Sequence, residues 1–177
     1  MAVDHVKSTP ITNLDASPAA VQTMGEGGPA SLKSISSGDV IGVAASSIDA
    51  TYQFVRVPSN CKVKQVIFDS QAQAVGTIDL GVYYATDGEG GQPTSLLVAA
   101  AISRTLFAAG YSIAAATGQI DVTNQSTNYT PTKRNQPLWQ AAGLAADPGG
   151  YFDIVGSLAT AITTGTGKMG MTVHYTD

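Results

Sequence analysis

The alternation of apolar and polar positions along the chain is that of a β protein over most of its length. In Thr77–Tyr84 (TIDLGVYY), Ile78, Leu80, Val82 and Tyr84 fall on one face and Thr77, Asp79, Gly81 and Tyr83 on the other. That period of two is expected of a half-buried antiparallel strand. Lys168–Tyr175 (KMGMTVHY) repeats it, with Met169, Met171, Val173 and Tyr175 predicted inward and Lys168, Gly170, Thr172 and His174 outward. A slip of one residue would exchange core for solvent in either segment, so both registers are expected to be firmly set. Runs of β-branched and aromatic residues between Gly, Pro, Asn and Asp clusters place strands near 39–45, 51–57, 62–69, 77–85, 119–123, 151–160 and 167–176.

Two segments read differently. Ser95–Gly110 is Ala-rich, with Leu96, Ala99, Ala100 and Ser103 at helical spacing, and predicts a short helix under the sandwich. Pro137–Gly143 predicts one or two helical turns, with Pro at the first position and Gly at the stop. Pro58-Ser59-Asn60 and Asp87–Gly91 read as loops, the second long enough to protrude. The fold class predicted is all-β, a jelly-roll-like antiparallel β-sandwich with one or two short helices and an extended N-terminal arm.

The arm is expected over residues 1–37 and the sandwich over 38–177. Residues 1–37 follow neither period and carry Pro10, Pro18 and the breakers Gly25, Gly27, Gly28 and Pro29. Their apolar members, Val3, Val6, Ile11, Leu14, Val21, Met24 and Leu32, are too irregular for one amphipathic face and too many for a solvated linker. Such an arm is expected to lie against a partner. Ile11, Leu14, Val21 and Met24 are the candidate anchors.

Composition narrows the function more than the fold. The 177 residues suit one domain, and a chain of this mass buries about 69% of its unfolded surface, enough for a core without metals or disulfides. Only 12% of residues are charged, about half the usual quarter. The surface is therefore built from Thr, Ser, Asn, Gln and Gly, or covered by neighbours. Net charge is −4, and the nine Lys and Arg are scattered along the chain, so direct nucleic-acid binding is not expected. The single Cys61 fits a reducing compartment and is read as a small buried hydrophobe at the start of a strand. No apolar run approaches 18 residues and the opening lacks signal-peptide character, so neither a membrane nor a classical secretory route is expected.

No catalytic constellation emerges, and neither a cofactor nor a metal is expected. TTGTGKMG resembles a phosphate loop only superficially. It has Ile162 where the first Gly belongs and Met169 where Ser or Thr must follow the Lys, so it is read as a hairpin turn. A Ser-His-Asp triad would have to use His5, in the arm, or His174, on an outward strand face; both are read as solvated and, with Cys61, match no metal spacing. Asp87 and Glu89 lack the alternating ligands of a calcium loop. Asp79, Asp121 and Asp153 lie in or near strands, but nothing pairs them for glycoside hydrolysis, and Asp79 is expected on a solvated face.

Several pieces in order carry a resemblance. They are Phe54–Asn60 (FVRVPSN), Val63–Phe68 (VKQVIF), Asp79–Gly88 (DLGVYYATDG), Leu138-Trp139, Gly143–Ile154 (GLAADPGGYFDI) and Val173-His174-Tyr175. This order is similar to the decoration, or cement, proteins on the outside of tailed-bacteriophage capsids, over roughly residues 38–177. The resemblance implies a jelly-roll-like subunit, often trimeric, made in the bacterial host cytoplasm, that bridges major capsid proteins and stiffens the virion shell. The competing reading is a carbohydrate- or receptor-binding β-sandwich of a phage particle, for which Tyr83, Tyr84, Tyr111, Tyr129 and Trp139 would offer stacking faces.

Overall fold

The computed structural model describes residues 5–7, 31–85 and 101–177. Its strands are β1 (His5–Lys7), β2 (Lys33–Ser36), β3 (Val40–Ile41), β4 (Thr51–Pro58), β5 (Lys62–Ser70), β6 (Thr77–Tyr84), β7 (Ala101–Ser112), β8 (Thr117–Asp121), β9 (Tyr151–Thr160) and β10 (Lys168–Thr176). A 3-10 turn at Lys133–Asn135 and the helix α1 (Leu138–Ala141) interrupt the long β8–β9 connection.

The first sheet runs β1-β4-β9-β6-β7 and the second β2-β10-β5-β8, with β3 also paired to β10. The antiparallel pairs β6–β7, β5–β8, β4–β9 and β2–β10 are nested one outside the next and alternate between the sheets. The sheets are completed by β6 against β9 and β5 against β10. A nested double ladder rolled over in this way is a jelly roll. Connections 37–50, 71–76, 113–116 and 161–167 gather at one end. At the other, Leu138 and Trp139 donate to the Cys61 and Ser59 carbonyls, tying α1 to the β4–β5 turn.

The predicted strand interiors face the core. Met169, Met171, Val173 and Tyr175 are buried, as are Ile78, Leu80 and Val82, and they pack with Phe54, Phe68, Phe107, Phe152 and Tyr129 in one cluster. Phe54 meets Phe68 edge-on at 5.8 Å, and Phe107 meets Tyr129 at 5.0 Å. Cys61 is a free, buried thiol one residue before β5. Gly143, at φ +98, stops the turn after α1.

Five expectations are corrected. Residues 101–112, within and just past the segment read as helical, form β7; residues 95–100 lie outside the described residues. This strand carries a bulge: between the Val82–Ser103 and Leu80–Ala108 pairs β6 advances two residues and β7 advances five. The bulge buries Leu106 and Phe107 in succession, which breaks strand alternation. Lys33–Ser36, inside the segment read as arm, pair with β10, and the expected strand at 39–45 is reduced to Val40–Ile41. Residues 161–167 join β9 of one sheet to β10 of the other, so they form a crossover where a hairpin turn was expected. Asp79 is buried rather than solvated: it accepts from the Gly110 N–H at 2.7 Å and pairs with Arg104 at 2.9 Å.

Candidate functional site

Among the described residues no group of three His, Cys, Asp or Glu is placed to hold a metal ion, and no helix is long and apolar enough to cross a membrane. The carboxylates of interest are engaged structurally. Asp153 is fully buried and receives Arg56 bidentately, at 2.6 Å from Nε and 3.0 Å from Nη2. Arg104 reaches from the β7 bulge to Asp79, to Asp49 and to the Leu158 carbonyl. Asp121 accepts from the Thr123 hydroxyl and N–H and from Gln65. Burial pushes its carboxyl up, but these hydrogen bonds and the nearby Arg134 outweigh that and hold it below the usual aspartate range.

The aromatic residues that could have stacked on sugars are packed into the fold. Tyr83 and Tyr129 are buried, and the Tyr129 hydroxyl donates to the Val63 carbonyl at 2.7 Å. Tyr84 and Tyr111 lie edge-on against Phe152 and Phe68, and Trp139 packs on the core from a half-buried position.

What the fold does assemble is a rigid end. Gln73 is wholly buried where four connections meet. Its N–H donates to the Ile113 carbonyl at 3.0 Å, its carbonyl accepts from Val75 at 2.7 Å, and its side-chain amide donates to the Gly167 carbonyl at 2.6 Å. Gly42 closes over that amide; a Cβ there would stand 2.4 Å from Oε1 and would displace it. Gly42 in turn donates to the Gly167 carbonyl at 2.9 Å, and Ala74 forms a bridge to Thr164. Ala45, Asp49 and Ala74 hold left-handed conformations at φ of 61, 70 and 63°, a strain that the surrounding bonds must enforce.

This end exposes apolar side chains. Ile41, Ile48 and Val75 are 53, 54 and 45% exposed, where β-branched residues are ordinarily covered. Its described charges are largely offset locally, Asp39 by Lys168 and Asp49 by Arg104. A preorganised apolar surface of low charge can bind another protein at small ordering cost. Sequence reasoning missed it because Ile41 and Ile48 belong to the 37–50 connection and Val75 to 71–76, and no local period links them. The predicted anchors Ile11, Leu14, Val21 and Met24, and the expected Asp87–Gly91 loop, lie outside the described residues.

Neither a protein-family profile nor a curated protein matches the chain. Among solved structures the chain is similar to one from the cyanophage Pam1 capsid asymmetric unit. The identity is 16%, the likeness covers 90% of this chain and 94% of that one, and the TM-score is 0.43. A similarity at that level carries no functional argument.

Proposed function

We propose that this protein is a structural component of a bacteriophage virion, a decoration subunit that binds the outside of the head and bridges major capsid proteins. The observation that carries the reading is the end braced by Gln73, which displays Ile41, Ile48 and Val75 on a preorganised surface. The ordered sequence resemblance over residues 38–177 supplies the class of partner. In this reading the arm, 1–37, adds a second contact through Ile11, Leu14, Val21 and Met24, and the subunit acts as a homo-oligomer, a trimer. The mechanism is linkage: a subunit that binds only the assembled shell stabilises it by about 2.7 kcal/mol per site at a hundredfold excess over Kd. Trimerisation would add avidity where the spacing of sites permits.

Co-sedimentation of the purified full chain with undecorated phage heads, followed by heating, tests this. The expected result is saturable binding and a higher temperature of DNA release. Removing residues 1–30 is expected to keep the far-ultraviolet spectrum of the sandwich and to weaken head binding. Heads that neither bind the intact chain nor gain heat resistance from it would overturn the reading.

A further inference from the structure

We propose that the surface formed by Lys62, Lys64, Lys133 and Arg134 binds a carboxylate-rich segment of a partner protein. The proposal is independent of the virion reading, since it concerns the chemistry of the bound group. In sequence these cations stand in two pairs about seventy residues apart; the fold unites them. A register shift in the β5–β10 ladder, where Val63 faces Tyr175 and Gln65 faces His174, inserts Lys64 as an extra residue. The bulge leaves Lys62, Lys64 and Gln65 all partly exposed, while Val63 and Val66 are buried. The 3-10 turn at Lys133–Asn135 lies beside it, and Lys64 Nζ donates to the Arg134 carbonyl at 3.0 Å and to Asn135 Oδ1 at 3.1 Å.

The charge there is unlike that of the rest of the described fold. The described residues hold nine Lys and Arg and eight carboxylate side chains; this surface takes four cations and one carboxylate, Asp121, leaving five and seven elsewhere. Lys33, Arg56, Arg104 and Lys168 each have an aspartate within ion-pair distance. Among the described residues none of the four cations here does. Arg134 is already fixed: with the Asn124 amide oriented so that both its atoms are paired, Nη2 donates to Asn124 at 2.7 Å. Its Nε is buried with no acceptor.

A protein carboxylate fits this surface better than a nucleic acid. The patch is short, Asp121 sits within it, and the fold beyond is acidic. A polymer with one charge per roughly 1.7 Å would be carried from the basic surface onto repelling carboxylates. Among the described residues no aromatic is fully exposed to offer a base a stacking face: Tyr129 is buried and Trp139 is half-buried against the core. Discrete side-chain carboxylates can meet lysine ammoniums one at a time, as point charges.

The test is fluorescence anisotropy of the full chain with a labelled poly-L-glutamate of six residues, short enough to stay on the patch, in a titration repeated at rising salt. Binding should weaken as the Debye length shortens. Lys62→Gln/Lys133→Gln, which leaves the Lys64 bonds to the turn intact, should weaken it by about tenfold or more, whereas Lys168→Gln at the opposite end should leave it unchanged. An unaltered melting profile of each variant confirms that the fold is kept. Equal affinity of the double variant, no binding of poly-L-glutamate at low salt, or tighter binding of labelled oligo-dT would each overturn the proposal. None of these outcomes bears on head binding, which is measured separately.

Discussion

Buried polar groups set the sharpest residue-scale expectations. Asp153 is wholly buried and the Arg56 side chain is only 3% exposed, so neither charge can fall back on water. Breaking such a pair from one side commonly costs about 3–5 kcal/mol, whereas replacing both partners with matched apolar groups costs far less. Asp153→Ala is therefore expected to lower the urea midpoint strongly, and Arg56→Met/Asp153→Leu to recover much of that loss. Tyr129→Phe removes one buried hydrogen bond, to the Val63 carbonyl, and should cost about 1–2 kcal/mol. Ala74 is a test of opposite sign. Its left-handed backbone costs an Ala about 1–2 kcal/mol, and the added freedom of Gly in the unfolded chain returns roughly 0.5–1. Ala74→Gly should thus raise stability by up to about 1 kcal/mol, where the same change inside a strand lowers it. Burial pushes the Cys61 thiol well above the usual range, so it should resist a disulfide reagent at pH 8 until the chain unfolds.

At the scale of elements, β7 illustrates why local spacing misled. Its bulge passes over Gly81, where a Cβ would stand 2.1 Å from the Ser103 carbonyl oxygen and 2.3 Å from that of Arg104. The bulge is held from the far side by Ser126, whose N–H and hydroxyl donate to the Phe107 and Leu106 carbonyls at 2.8 and 2.6 Å. Gly81→Ala must move backbone, and the expected cost is about 3 kcal/mol, the upper end of ordinary overpacking. The β8 end has a pH signature. Because the folded-state pKa of Asp121 is held low, its contribution is complete above the unfolded aspartate value and lost as pH falls through the folded one. Asp121→Asn should flatten the acid limb of the stability profile without steepening the neutral range, as followed by thermal melts from pH 7 downward. The bulge needed β6, β7 and Ser126 to meet, and the Asp121 site needed β5, β8 and the following segment, which no strand pattern encodes.

For the whole molecule, the nested ladder makes the last strand indispensable. β10 lies between β2 and β5 and supplies Met169, Met171, Val173 and Tyr175 to the core. A chain ending before Lys168 should fail to fold, read as loss of the far-ultraviolet β spectrum and of the soluble fraction. The jelly roll was legible from sequence because β-branched and aromatic runs between turn clusters mark most of its strands, and only short helical segments interrupt them. Its loop-end surface and its basic face were not, because the residues that form them come together only after the ladder has rolled over.

The positions of β4, β5, β6, β9 and β10, and the inward side of the alternating strand β10, were determined by the sequence alone, because strand period is a property of neighbouring residues. The tertiary structure decided the conformation of 101–112, the burial of Asp79, and the gathering of four cations on a protein whose net charge is −4. These depend on which strands lie side by side, and that is settled by the packing of both sheets at once rather than by any local stretch of chain.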